Sequence, residues 1–294
     1  MPELPEVETV MRGLKPVLEG RRIAGVSLRR AGLRFPFPAG FAERLTGSRV
    51  TGLRRRAKYI LAELDTGEVL LVHLGMTGRF TVFAGEVARN LGEFYFETAA
   101  GEAGQGPHDH VVLMLEDGTR VVYTDPRRFG VMDLFPEAEA ASHKLLGGIG
   151  VEPLGNEFSA AYLAERFRYK AAPLKAALLD QHIVAGLGNI YVCEALYRAG
   201  LSPRRKARTL VKKKGHDPRL DDLVRHVREV LAEAIKAGGS TLQDFAHADG
   251  GAGAFQQSFL VYDREGLPCM GCGASIERLV QSGRSTFYCR HCQK

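Results

Sequence analysis

The chain has 294 residues, with 40 Lys plus Arg against 34 Asp plus Glu, 45% hydrophobic residues and 25% charged ones. That balance fits a soluble globular protein of one large or two ordinary domains and excludes a disordered tail. No apolar run approaches the ~20 residues that span a bilayer. Met1-Pro2-Glu3-Leu4-Pro5-Glu6 lacks the basic and apolar regions of a signal peptide, so a cytoplasmic protein with no membrane partner is expected.

The net charge of +6 is unevenly placed. Residues 204–214 carry seven Lys or Arg and no acid, residues 269–294 are net +3, and the rest of the chain is net acidic. One such run is as readily a solvated face as a binding surface. Two in the same half of the chain favour a polyanionic partner, and nucleic acid is the expectation.

In chain order, Val7, Val10, Met11, Leu14 and Leu18 mark an opening amphipathic helix closed by Gly20. Strands are predicted at Ile23–Leu28, Tyr59–Leu64, Val69–Leu74, Arg79–Phe83, Val111–Leu115 and Arg120–Tyr123. Asp117-Gly118 reads as a hairpin turn of the primed type, and residues 84–107 as a long surface loop. Short strands in succession after one helix predict an antiparallel sandwich over residues 2–136, followed by a linker at 137–152. A helical domain is predicted over 153–258, with helices at Ala160–Tyr169, Leu174–Gln181, Asn189–Ala199 and Pro218–Ala237. The last carries a stripe of Leu220, Leu223, Val224, Val227, Leu231 and Ile235, with Asp217 to cap it and Gly238-Gly239 to end it.

The tail, 259–294, holds Cys269-x2-Cys272 and Cys289-x2-Cys292, sixteen residues apart. Two thiolate pairs on tight turns supply four soft ligands to one tetrahedral ion, which suits a structural Zn²⁺. Disulfides are the rival explanation and conflict with a cytosolic compartment. The fifth cysteine, Cys193, falls in a helical pattern and reads as an inert buried thiol.

The N-terminus admits two readings. Glu6 and Glu8 near a helix start, with Pro5 in the first turn, need no function. Removal of Met1 would instead expose the secondary amine of Pro2, partly unprotonated near neutrality. Such an amine attacks a sugar C1′ to give an iminium ion, with Glu3 and Glu6 at hand for acid–base work.

Taken together, the chain resembles the bacterial formamidopyrimidine-DNA glycosylases. The matching segments run from Pro2-Glu3-Leu4-Pro5-Glu6-Val7-Glu8-Thr9 through Arg55-Arg56-Ala57-Lys58-Tyr59 and His73-Leu74-Gly75-Met76-Thr77-Gly78. His108-Asp109-His110, Tyr123-Thr124-Asp125-Pro126-Arg127-Arg128-Phe129-Gly130, Gly186-Leu187-Gly188-Asn189-Ile190-Tyr191 and the cysteine tail follow in the family's order. The resemblance implies an α+β protein: a β-sandwich with an opening helix, a helix–two-turn–helix domain and a four-cysteine zinc ribbon. It implies a monomer that excises oxidised purines from damaged double-stranded DNA and then nicks the strand by β,δ-elimination.

By that resemblance Pro2 is the Schiff-base nucleophile, Glu3 the acid assisting base loss, Lys58 the proton donor of β-elimination and Arg284 that of δ-elimination. Glu194 corresponds to an acid supporting the N-terminus. His73, His108, Arg127, Lys170, Asn189 and Arg284 correspond to DNA-contacting positions. Met76, Arg127 and Phe129 would fill the hole left by a flipped-out base, although Met76 and Phe129 otherwise read as core. Lys58 is otherwise a solvated strand lysine, Asn189 a helix cap, and His108 and His110 loop histidines. Asp249-Gly250-Gly251-Ala252-Gly253 corresponds to a mobile loop over the extruded base. The length of 84–107 and the Lys-rich stretch 204–216 depart from the family pattern; the latter adds nonspecific DNA affinity or is disordered. Two rival functions are an endonuclease VIII-like activity on oxidised pyrimidines and a zinc-ribbon protein that binds lesions without cleaving. Leu4-Pro5-Glu6 and Arg127-Arg128-Phe129 speak against the first, and the Pro2, Glu3 and Lys58 set against the second.

Overall fold

A computed structural model describes residues 1–85, 87–91 (backbone only), 105–240 and 254–294. Contacts divide the chain into two units, Met1–Gly147 with Ala237–Ala254, and Gly148–Lys236 with Phe255–Lys294.

The first unit opens with α1 (Leu4–Leu18), whose stripe of Leu4, Val7, Val10, Met11, Leu14 and Leu18 is buried as its helical spacing predicts. Strands β1 (Ile23–Leu28), β2 (Val50–Arg56), β3 (Tyr59–Leu64), β4 (Glu68–His73) and β5 (Arg79–Ala84) follow, with a short helix α2 (Phe41–Leu45) after β1. Then come β6 (Val87–Leu91), β7 (Asp109–Leu115), β8 (Arg120–Thr124) and β9 (Val131–Pro136). They form two antiparallel sheets, β1-β7-β8-β5-β6 and β2-β3-β4-β9. Leu53, Ile60 and Val72 from one sheet and Phe80, Val111 and Val121 from the other meet in a single core with α1. This is the expected sandwich.

The alternation predicted six of the nine strands. β2 ends in Arg54-Arg55-Arg56 and β9 mixes Asp133 into an apolar run, so neither shows a clean period of two. The long surface loop expected at 84–107 is corrected at its start. Val87–Leu91 pairs with β5 from Phe80↔Leu91 to Ala84↔Val87, an edge strand whose sequence, Val-Ala-Arg-Asn-Leu, shows no period of two. Residues 92–104 of that stretch lie outside the described residues.

The turn at Asp117-Gly118 is also corrected. Gly118 alone is left-handed, at φ +83°, and its N–H donates to Leu115 O at 3.0 Å while Leu115 N–H donates to Thr119 O at 2.8 Å. That is a type I turn with a glycine bulge, whereas a primed turn of type I′ needs positive φ at both central residues. The outer face of the second sheet is covered too. Ala140, Leu145 and Leu146 pack on Leu61, Val69, Leu71 and Phe135.

The second unit holds α3 (Ala160–Phe167), α4 (Leu174–Leu179), α5 (Asn189–Arg198) and α6 (Arg219–Lys236), each within a few residues of its predicted range. On α6, Leu220, Leu223, Val224, Val227 and Leu231 are buried, and Asp217 accepts the Arg219 N–H at 3.0 Å before the first turn. The Lys-rich stretch is ordered: Ala207–Leu210 forms a 3₁₀ turn with Ala207 and Leu210 buried, and Val211 bridges His216. The cysteine tail contains the hairpin β10 (Glu277–Gln281) and β11 (Arg284–Tyr288), which is the expected ribbon. Among the described residues, no helix is long and apolar enough to cross a membrane.

Lys175 on α4 is fully buried, and nothing in the sequence pattern distinguished it. Its Nζ donates to Ser285 O at 2.9 Å and Thr286 Oγ1 at 2.6 Å, tying α4 to β11. Replacing Lys175 with Met keeps the volume and removes both donors. The second unit is expected to lose about 1–3 kcal/mol, read by urea denaturation, because charge-assisted bonds are lost and a buried hydroxyl loses its donor. Unchanged stability would show that the ammonium contributes nothing net.

Candidate active site and metal centre

In the first unit the functional candidates stand on turns and helix ends that buried carboxylates hold together. Pro2 and Glu3 are buried just before α1, while Met1 is exposed. Glu6, only 2% exposed, reaches back so that its Oε2 accepts the Glu3 N–H at 2.8 Å. Its Oε1 accepts the Ser240 N–H at 2.8 Å and the Ser240 hydroxyl at 3.1 Å. One carboxylate thus joins the N-terminal segment to a residue 234 positions away. Gly239, at φ +91°, makes this possible, since a Cβ there would stand 2.9 Å from Glu6 Oε1. The sequence marks Gly239 only as a helix end and gives Ser240 no role, because a partner this distant leaves no periodic mark. The glycine-rich stretch at 249–253 lies outside the described residues.

Lys58 lies in the two-residue turn between β2 and β3, where Arg56 pairs with Tyr59, and not within a strand as the local sequence suggested. Ala57 before it is left-handed at φ +52°. Arg55 secures the turn, donating to Ala57 O at 2.9 Å and to Glu8 Oε2 on α1 at 2.8 Å. The turn presents a largely buried lysine, 7% exposed. His73, opposite Tyr59 at the end of β4, has its pKa drawn down to about 4 by burial first and then by the charges of Lys58 and Arg34. Its Nδ1 accepts the Gly75 N–H at 3.1 Å, which requires the neutral ring.

Asp125 is a further buried acid, with no exposed surface. Oδ1 accepts the Thr77 hydroxyl at 2.5 Å and Oδ2 the Gly130 N–H at 2.8 Å, while Thr77 Oγ1 accepts the Arg127 N–H at 3.2 Å. His108 O accepts the Asp125 N–H at 3.0 Å, and the buried His110 bonds Asp125 O through Nε2 at 2.9 Å. The loops 75–78 and 125–130 are therefore one assembly. From it Met76 projects half-buried, His108 and Arg127 are exposed, and Phe129 is 44% exposed with the Arg127 guanidinium 4.8 Å from its ring centre. An exposed phenylalanine is not core, which removes the plainer reading of Phe129. Of the two histidines, His110 is structural and His108 faces outward.

In the second unit Glu194 is a buried acid, with no exposed surface. Its carboxylate accepts the N–H groups of Leu260, Val261 and Tyr262 at 2.9, 3.0 and 2.8 Å, fixing the chain that leads into the ribbon. Burial pushes its pKa up against those three bonds and the charge of Arg198. Lys170 pairs with Asp180 at 2.7 Å. Asn189 is the first residue of α5, with Gly188 at the cap, so it is not itself the cap that the local sequence allowed. Its Nδ2 donates to Ser285 O at 3.0 Å, the carbonyl that Lys175 also holds, and its buried Oδ1 has no partner among the described residues. Arg284, beside that carbonyl, is exposed at the start of β11.

Cys269, Cys272, Cys289 and Cys292 bring four sulfurs within 4.8 Å of one another. Cys269 and Cys292 are 3.8 Å apart and Cys272 and Cys289 3.5 Å, close to the about 3.8 Å edge of a tetrahedron with 2.3 Å Zn–S bonds. Four thiolates and no carboxylate fit one closed, structural Zn²⁺. Cys193 is buried in the adjoining cluster with Val261, Ile276 and Phe287 and takes no part in the ligand set.

Two measurements follow from this geometry. His73 stabilises the fold fully above its unfolded value near 6.5, and that contribution is lost as pH falls toward 4, because the unfolded ring takes up the proton first. The loss is on the order of 3 kcal/mol. An NMR titration should place the His73 midpoint near 4, and a midpoint near 6.5 would overturn the neutral assignment. For the ribbon, Cys289→Ser should lower zinc content and DNA binding together. A variant without zinc that binds DNA normally would remove the structural role of the metal.

Three family models match in sequence: the formamidopyrimidine-DNA glycosylase N-terminal domain over residues 1–132, its H2TH domain over 149–246, and the zinc finger found in FPG and IleRS over 266–294. A formamidopyrimidine-DNA glycosylase from Rhizobium etli is 56% identical over 300 residues, covering all of both chains. One from Methylobacterium radiotolerans is 56% identical over 298 residues, covering all of this chain and 99% of its own. Among solved structures, the MutM (Fpg) protein of Thermus thermophilus aligns with a TM-score of 0.82 at 39% identity, over 99% of this chain and 98% of that one. The Lactococcus lactis Fpg in complex with DNA containing an abasic site aligns at 0.83 and 30% identity over the full length of both. The same Lactococcus lactis protein with DNA containing an oxidized pyrimidine aligns at 0.83 and 31%, again over both full lengths. The chain belongs to the formamidopyrimidine-DNA glycosylase family.

Proposed function

We propose that the chain is a base-excision repair enzyme, a bifunctional glycosylase and abasic-site lyase that removes oxidised purines. Its principal substrates are 8-oxoguanine opposite cytosine and formamidopyrimidines in double-stranded DNA. The observation that carries this reading is the buried Pro2-Glu3 pair, held by Glu6 behind an exposed Met1, in a chain 56% identical to named glycosylases. A lesion-binding protein needs neither a buried proline at position two nor an acid beside it. The Lactococcus lactis relative was crystallised with DNA containing an oxidized pyrimidine, so that lesion class belongs in the panel on which the purine preference is tested.

In the proposed reaction Met1 is removed and the Pro2 nitrogen attacks C1′ of the damaged nucleoside. The bond to the base breaks, with Glu3 assisting base departure and opening of the sugar ring, and an iminium ion links enzyme and sugar. Lys58 serves proton transfer in β-elimination, which expels the 3′ phosphate, and Arg284 serves δ-elimination, which expels the 5′ phosphate. His73, His108, Lys170 and Asn189 bind the DNA backbone, the neutral His73 as a hydrogen-bond donor through Nε2. Met76, Arg127 and Phe129 occupy the gap in the duplex, with Arg127 facing the unpaired base. Glu6 and Glu194 support this set by holding the segments around it. The Zn²⁺, when bound, supplies a cross-link and no chemistry. The enzyme acts as a cytoplasmic monomer.

Residues added before Pro2 convert its amine to a tertiary amide with no nucleophilic lone pair. Base excision, strand cleavage and borohydride trapping on an 8-oxoguanine:cytosine duplex should fall together, while lesion binding persists. Full trapping with a blocked N-terminus, or a cross-link mapped to Lys58, would show that Pro2 is not the nucleophile. Tight binding with no adduct on any oxidised base would leave a lesion-binding protein.

A further inference from the structure

In the second unit an open groove of about 430 Å³ runs between residues 202–209 and the end of the chain at 288–294. We infer that this groove is a second binding site for the phosphodiester backbone of DNA, built from residues to which the proposed reaction gives no role. The inference rests on the reading that the chain acts on DNA.

Five cations line the groove, Arg204, Arg205, Lys206, Arg290 and Lys294, and among the described residues no Asp or Glu side chain does. Several other arginines of the unit are neutralised in place. Arg198 pairs with Glu233, Arg219 with Asp217, Arg225 with Asp222 and Glu229, and Arg278 with Glu265. Among the described residues none of the five groove cations has a carboxylate side-chain partner. Arg205 instead donates to Lys294 O and Thr209 Oγ1, both at 3.2 Å, and Lys294 Nζ to Arg290 O at 3.3 Å. Even discounting Arg205 for the oxygen it holds, four cations remain. Glu277 touches the lining, but there its Oε2 accepts the Tyr288 hydroxyl at 2.7 Å.

Both walls are anchored through the backbone, so the segments that carry the charges are in position before any ligand arrives. Leu174 N–H donates to Arg205 O, Pro173 bridges Lys206, and Ala207 and Leu210 are buried. Across the groove, the buried Gln293 donates to Leu201 O at 2.9 Å and accepts the Cys289 N–H at 2.8 Å. The two basic runs of the sequence thus converge on one surface. The ligand follows from what the lining lacks. Its single ring, Tyr288, is buried and tied to Glu277, so a base has no face to stack on. Charges spaced along an open groove suit a series of phosphates.

Arg204, Lys206 and Arg290 are exposed, so changing all three to Gln leaves the core untouched. Binding to a long undamaged duplex is measured against salt concentration for the parent protein and this variant. Each phosphate interaction removed lowers the log–log slope by about 0.9, so a reduction of up to about 2.7 is expected, while excision on a short lesion duplex stays at the parent level. An unchanged slope overturns the inference. So does a slope that is unchanged while the variant loses binding of inorganic tripolyphosphate, which would make the groove a free-anion site. A parent protein that binds no lesion duplex would instead sink the repair assignment and is distinguishable from either result.

Discussion

A side chain that must reach another molecule has to project from a turn or a chain end, and the main-chain N–H groups there lie outside the sheet and helix ladders. In this protein buried carboxylates accept them. Glu6 takes the N–H groups of Glu3 and Ser240, Asp125 takes that of Gly130 together with the Thr77 hydroxyl, and Glu194 takes three in succession at 260–262. A buried carboxylate is costly unless its lone pairs are filled, and these fill several each. The exchange fixes both partners: the acid is satisfied and the loop acquires a single conformation. Pro2, the 75–78 and 125–130 loops and the lead into the ribbon all depend on it.

This dependence also decides what was legible in the sequence. The opening helix, the sandwich, the helical stretch and the four cysteines rest on periodicity and on ligand spacing, which are local, and they stand where the sequence places them. The polar supports are not local. Thr77 and Asp125 are 48 positions apart, Lys175 and Ser285 110, and Glu6 and Ser240 234. Nothing in a window of a dozen residues distinguishes an acid that collects distant N–H groups from one on a solvated face. β2 and β6 were hidden for a related reason. A strand rich in Arg, or a short strand of mixed character at a sheet edge, is defined by its neighbour and not by its own pattern.

The candidate residues divide along the same line. Lys58, Met76, Arg127, Phe129, Asn189 and Arg284 sit at turns or element ends, so the motifs that contain them name positions which the fold leaves accessible or at the edge of a core. The exposure of Phe129 beside Arg127 does not follow from the local sequence, because a phenylalanine just before an apolar run is ordinarily buried.

The zinc ribbon shows how the two kinds of constraint combine. Its hairpin is too small to bury a core of its own, and structural metals supply the missing folding energy in such modules. Yet the cluster around Cys269 and Cys289 also includes Cys193 from α5, and Tyr197 of the same helix bonds Cys269 at 3.2 Å. The ribbon therefore shares its core with the helical unit. Lys175 and Asn189 then grip one carbonyl, that of Ser285, from α4 and α5. A single acceptor held from two helices fixes the height of β11 as well as its lateral position. The four cysteines supply a site for the metal that would cross-link the ribbon, and these two polar side chains hold the strand whose first residue, Arg284, is exposed.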